Sequence, residues 1–107
     1  MEDKNIQRFC GMLGFAMRAG RLILGSELVC RALPSGKVKL VVVAENASGG
    51  TKKKIFNKCK FYGTEVFEGK IETERLGKIL GKTHPISSVA VTDAGFAKEI
   101  KTSITGE

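Results

Sequence analysis

The sequence predicts an α/β fold, a three-layer α/β/α sandwich around a mixed sheet of about four strands. Three observations carry that expectation. Apolar stripes at helical spacing alternate with short apolar or β-branched runs from end to end. One of those runs, KLVVVAE, holds four consecutive apolar residues, three of them valine, as a strand covered on both faces requires. Glycines sit where the helical stripes stop, as left-handed helix ends favour. With 107 residues and a hydrophobic fraction of 42%, the chain suits one domain, 1–107, with a small layered core.

Element by element, Ile6, Phe9, Cys10, Leu13, Ala16 and Met17 recur at three- and four-residue steps. They mark one face of a helix from about Asp3 to Ala19, closed by Gly20. RLIL, between Gly20 and Gly25, reads as a brief strand. Ser26 is placed to cap a second helix with Leu28, Val29, Ala32 and Leu33 inward, ending near Pro34-Ser35-Gly36. After KLVVVAE, a helix from about Thr51 to Tyr62 buries Ile55, Cys59 and Tyr62, and Gly63 closes it. TEVFE is a strand. A helix from about Thr73 buries Leu76, Ile79 and Leu80 and ends at Gly81. SSVAVTD is the last strand, and AGFAKEI the last helix, with Phe96, Ala97 and Ile100 inward. The final residues, KTSITGE, are expected to fray, with a tail over about 102–107. No internal repeat, linker or low-complexity segment interrupts the pattern.

Charge narrows the partner class. Lys and Arg total 18 against 11 Asp and Glu, for a formal +7, which favours polyanions such as RNA, DNA or an anionic surface. No apolar run approaches the roughly 20 residues of a membrane span. MEDKNIQRFC lacks a basic-then-apolar secretory pattern. A cytoplasmic chain with no membrane partner is expected, and a monomer is the expected state. Cys10, Cys30 and Cys59 are odd in number and widely spaced, without a CxxC pair, so they read as reduced buried thiols. No metal or other cofactor is expected: the single His84 cannot complete a zinc set.

VVVAENASGGTKKK resembles a phosphate cradle at first sight. A P-loop needs G-x-x-x-x-G-K-[ST], so that backbone N–H groups wrap the phosphates and a hydroxyl holds magnesium. Here the upstream glycine is replaced near Glu45 or Asn46, and no Ser or Thr follows Lys52. G-x-G-x-x-G is absent too. Two readings stay open: a helix start whose N–H groups and Lys52 to Lys54 meet phosphate, or a solvated lysine face with Thr51 as cap. Catalysis needs a nucleophile, a base and an orienting group that converge. No such set is recognisable, so no enzyme is expected. Arg18, Arg21, Arg31, Lys37, Lys39 and Lys52 to Lys54 lie near element ends, as a nucleic-acid surface would place them. Aromatics are few, and several Phe lie on core stripes. An aromatic platform of the RRM or OB type is therefore not expected, and backbone N–H groups, Arg, Lys and loops would carry RNA contacts.

AGRLILGSELVCRAL, KLVVVAENAS and LGKILGKTHPISSVAVTD together resemble the L-seven-Ae and L-thirty-e ribosomal protein superfamily, and within it the bacterial YlxQ-like group of small RNA-binding, ribosome-associated proteins. The match runs from about Ile6 to Ile100. The resemblance implies a non-enzymatic binder of structured RNA, of kink-turn type or ribosomal, acting with the ribosome. Its signature, Gly-x-Asn-Glu-x-x-Lys at the start of the second helix, reads tandem G·A pairs. Here Gly25 and Ser26 open the motif, Glu27 stands for Asn, Leu28 for Glu and Arg31 for Lys. Glu27 lacks amide donors and Leu28 cannot accept from guanine. The resemblance adds a second loop, with His84, Pro85, Ile86 and Ser87 as contacts, and a third around Asn46 and Ser48. Arg21, Lys52 and Lys53 are expected at phosphates. The alternative is a protein-interaction module on the same fold.

Overall fold

The structure, a computed structural model, describes residues 4–105. In chain order these form α1 (Lys4–Arg18), β1 (Leu22–Leu24), α2 (Ser26–Ala32), a 3₁₀ turn (Leu33–Ser35), β2 (Leu40–Ala44) and α3 (Gly49–Tyr62). β3 (Val66–Gly69), α4 (Thr73–Ile79), β4 (Ser88–Val91) and α5 (Ala94–Thr105) complete the chain.

The valine-rich run becomes β2, at the centre of a sheet ordered β1-β4-β2-β3. β2 is parallel to β3, joined by the α3 crossover, and antiparallel to β4, which is antiparallel to β1. All five β2 residues are buried because the sheet is covered on both faces. The two-residue period of a strand then divides them. Leu40, Val42 and Ala44 face a core built with Phe9 and Leu13 of α1, Leu76 of α4 and Ile100 of α5. Val41 and Val43 face a second core with Val29 of α2 and Ile55 and Cys59 of α3. The expected mixed sheet of four strands between helical layers is what forms.

Several local expectations fail for identifiable reasons. Gly25, not Ser26, is the N-cap residue of α2, and no side chain caps that end. Leu28 points outward and is 52% exposed, because the inward seam of α2 is Val29, Cys30 and, just beyond it, Leu33. α3 begins two residues before Thr51: the Ser48 hydroxyl accepts from the Thr51 N–H at 3.2 Å, so Gly49 and Gly50 lie inside the first turn. Tyr62 is exposed at the end of α3, past its Ile55–Cys59 seam. The expected tail is instead helix through Thr105, since no breaker precedes Gly106. Ser103 is buried there and donates to the Ile100 carbonyl at 2.6 Å, and Ile104 packs on the core. Asp3, Gly106 and Glu107 lie outside the described residues.

All three cysteines are free thiols; Cys30 and Cys59 are buried and Cys10 partly so. Burial, and then charge on the neighbouring Cys30, push the Cys59 thiol up to about 11.

Candidate nucleic-acid interface

Strand register decides which loops meet. Leu24 pairs with Val89, Val43 with Ser88 and Ala44 with Gly69. The C-terminal ends of β1, β2 and β3 and the start of β4 therefore share one end of the sheet. Four segments leave from there: Gly25–Ser26, Glu45–Ser48, Lys70–Glu72 and Lys82–Ser87.

The first and last are tied directly. Gly25 donates its N–H to the Ser88 carbonyl at 2.9 Å. The Ser26 hydroxyl makes a short contact with the Ser87 hydroxyl and lies 3.3 Å from that of Ser88. Gly25 has φ 90° and ψ 146°, a conformation open to glycine and strained for any other residue. The neighbouring strand holds the same loop: Ala44 donates to the Ser87 carbonyl at 2.8 Å. α4 buttresses it from behind. A Cβ on Gly77 would stand 2.1 Å from the His84 carbonyl oxygen, so only glycine lets the loop lie this close.

The result is a ridge, Lys82 to Pro85, between two open hollows. One, of about 550 Å³, has Leu22, Leu24, Gly25 and Leu28 on its far bank. The other, of about 780 Å³, is walled by Glu72, Glu74, Arg75 and Lys78. The Glu74 carboxyl is held below its ordinary range by its own backbone N–H, then by the Thr73 hydroxyl and the Asn46 amide.

The sequence-derived site residues divide. Gly25, Ser26, Leu28, His84, Pro85 and Ser87 come together around the first hollow. Ile86 lines it but is only 3% exposed, so its side chain belongs to the core. Asn46 is at the same end, yet its side chain serves the fold: its oxygen accepts from the Thr73 N–H at 2.7 Å and its amide reaches Glu74 at 3.4 Å. Ser48 caps α3. Lys52 donates to the Glu45 carbonyl at 2.6 Å and pairs with Glu68, partners that a phosphate would have to displace. Glu27 and Arg31 pair with each other at 2.8 Å on the solvent side of α2. Arg21 lies at the opposite end of β1, where its carbonyl accepts from Thr92, so it does not join the cluster. Lys53 is exposed on α3.

Leu22, Leu24, Arg75 and Lys78 were not legible as site residues, because only the pairing of β1 with β4 and the packing of α4 bring them to the ridge. Gly77 did carry a signal: a glycine inside a helical pattern often marks a close approach. Among the described residues, no group of three or more His, Cys, Asp or Glu could hold a metal ion, and no helix is long and apolar enough to cross a membrane.

Residues 7–101 match the profile of the Ribosomal protein L7Ae/L30e/S12e/Gadd45 family. The RNA-binding protein YlxQ of Enterococcus faecium is 40% identical over 106 residues, covering 99% of this chain and all of that one. The large ribosomal subunit protein eL30 of Sulfolobus acidocaldarius is 33% identical, covering 89% and 97%. Among solved structures, a Bacillus halodurans protein of unknown function superposes with a TM-score of 0.85 at 35% identity, covering 92% of this chain and 97% of its own. The Giardia lamblia 15.5kD RNA binding protein reaches 0.79 at 12% identity, covering 99% and 89%, a likeness of fold alone.

Proposed function

The chain belongs to the Ribosomal protein L7Ae/L30e/S12e/Gadd45 family, and from that premise we propose that it binds structured RNA without catalysis, at the sheet end where α2 starts and the Lys82–Ser87 loop arrives. The observation that carries the reading is the join of those two segments: Gly25 to Ser88 through the backbone, Ser26 to Ser87 and Ser88 through hydroxyls. A kink-turn presents exposed G·A edges beside extruded bases, a shape that two loops fixed at one end can grip. Gly25 carries no Cβ, so an RNA backbone or base edge can approach the chain closely. His84 and Pro85 on the ridge offer ring faces for an extruded base. Lys82, Lys78 and Arg75 beside it supply positive charge, which positions phosphates rather than reading sequence. Bacterial relatives named RNA-binding protein YlxQ and archaeal ribosomal proteins eL30 support the same partner class and an association with the ribosome.

The test compares a kink-turn RNA with the same RNA lacking its G·A pairs. Tighter binding of the intact kink is expected; equal affinities would sink kink recognition. Arg31→Ala is expected to weaken binding by roughly 1–3 kcal/mol if Arg31 leaves Glu27 for a base edge. That exchange is feasible because an exposed i, i+4 pair is worth only about 0.5 kcal/mol.

One observation favours a second reading. Leu28 exposes an apolar side chain beside Leu22, Leu24 and Pro85, which suits a protein partner better than a phosphate. Partners that stay attached after RNase treatment would support that alternative.

A further inference from the structure

The outer face of α3 gathers lysines and exposed rings on one helix. The helix carries Lys52, Lys53, Lys54, Lys58 and Lys60 and no acidic residue. Apart from Lys52, none of these lysines is engaged in an ion pair among the described residues. Nearby acids on or beside β3 are already matched: Glu68 by Lys52 and Glu65 by Lys101. On the same helix Phe56, Phe61 and Tyr62 are exposed, Phe61 by 80%. Phe61 and Tyr62 stand edge to face, with ring centroids 4.9 Å apart. Lys54, Lys58, Phe61 and Tyr62 follow at i, i+4, i+7 and i+8, so cations and rings share one stripe.

A large exposed ring is unusual on a soluble surface, and rings interleaved with lysines are what unpaired nucleotides need. Bases stack on the aromatic faces while ammonium groups follow the phosphates. An anionic membrane fits less well. Its helices segregate apolar from basic residues and sink the apolar face, whereas the apolar face of α3, Ile55 and Cys59, is fully committed beneath the sheet. We propose that the Lys54–Tyr62 stripe of α3 is a second RNA-binding surface, which takes a single-stranded segment flanking the structured RNA held at the sheet end. This second surface extends the RNA-binding reading above and rests on it for the class of its partner.

The test measures fluorescence anisotropy of a short labelled oligouridine and, separately, of a kink-turn RNA. Three proteins are compared: the full chain, its Phe61→Ala/Tyr62→Ala variant and its Lys54→Gln/Lys58→Gln variant. All four side chains are exposed, so urea midpoints should not move. The aromatic variant is expected to lose roughly 10-fold in oligouridine affinity, the loss of about one stacked base. The lysine variant is expected to flatten the logarithmic salt slope by about 1.4, for two phosphates on a single strand. Neither should change binding of the kink-turn RNA by itself. Oligouridine binding that is absent in the wild type, or unchanged in the aromatic variant, overturns the proposal. So does an aromatic variant that loses only self-association or binding to phosphatidylserine vesicles. If the kink-turn RNA and its G·A-less form bind equally while oligouridine discriminates the variants, the sheet-end reading fails and this surface stands.

Discussion

Gly77→Ala sets two physical effects against each other. Helix propensity alone says the change in α4 should stabilise the protein by about 1 kcal/mol. Packing says the opposite. The new methyl would stand 2.1 Å from the His84 carbonyl oxygen and 3.1 Å from its carbon, and both are backbone atoms. Restoring an ordinary carbon–oxygen contact of ~3.3 Å requires the loop to retreat by about 1.2 Å. The loop cannot retreat freely. Ile86 donates to the Thr73 carbonyl at 3.0 Å, the Ser87 carbonyl accepts from Ala44, and the Ile86 side chain is in the core. Overpacking against fixed backbone belongs at the upper end of its range, about 3 kcal/mol. The net expectation is a loss of about 2 kcal/mol, read as a fall of roughly 10 °C in Tm, or as a lower urea midpoint at unchanged slope. The ridge moves with the loop, so structured-RNA affinity should fall as well. Gly11→Ala is the control: Gly11 is helical and exposed, and a Cβ there would meet nothing within 4 Å. It should gain about 1 kcal/mol. If Gly77→Ala matched that gain, the close approach of α4 to the loop would be refuted.

Gly25→Ala meets no atoms but is forced to hold φ 90°, so it should destabilise the fold by about 1–3 kcal/mol in urea titration through backbone strain alone. Asn46→Ala should lose about 1 kcal/mol, measured the same way, because the Thr73 N–H at the start of α4 loses its acceptor. Cys59 predicts a pH dependence. Its thiol titrates higher in the folded chain than at its ordinary value of 9.0, so the neutral form is favoured by folding. That stabilising contribution is complete below pH 9 and is lost as pH rises toward about 11. Denaturation midpoints should fall across that window, and Cys59→Ala, less stable at neutral pH, should show a shallower decline.

The sequence itself determined the architecture of this protein. Local patterning was enough, because a strand has a period of two and a helix a period of 3.6, and each buried face leaves that trace. Leu40 to Val43 announced a strand covered twice, and both cores are built on it. The alternation of elements announced the layers. Family resemblance added Gly25 to Arg31 and the Lys82–Ser87 loop as candidate segments. What the sequence could not decide was how individual side chains are used. Asn46 and Lys52 look like ligands in one dimension, but the start of α4 and a carboxylate on β3 occupy them. Arg21 sits only four residues from Gly25, yet an extended strand carries it to the other end of the sheet. Leu28 and Tyr62 fit apolar stripes but fall past the edge of the surface those helices bury. Each of these outcomes depends on residues distant in the chain, paired by sheet register and helix packing. The tertiary structure alone decided which polar groups are spent on the fold and which face solvent on the Lys82–Pro85 ridge and the outer stripe of α3.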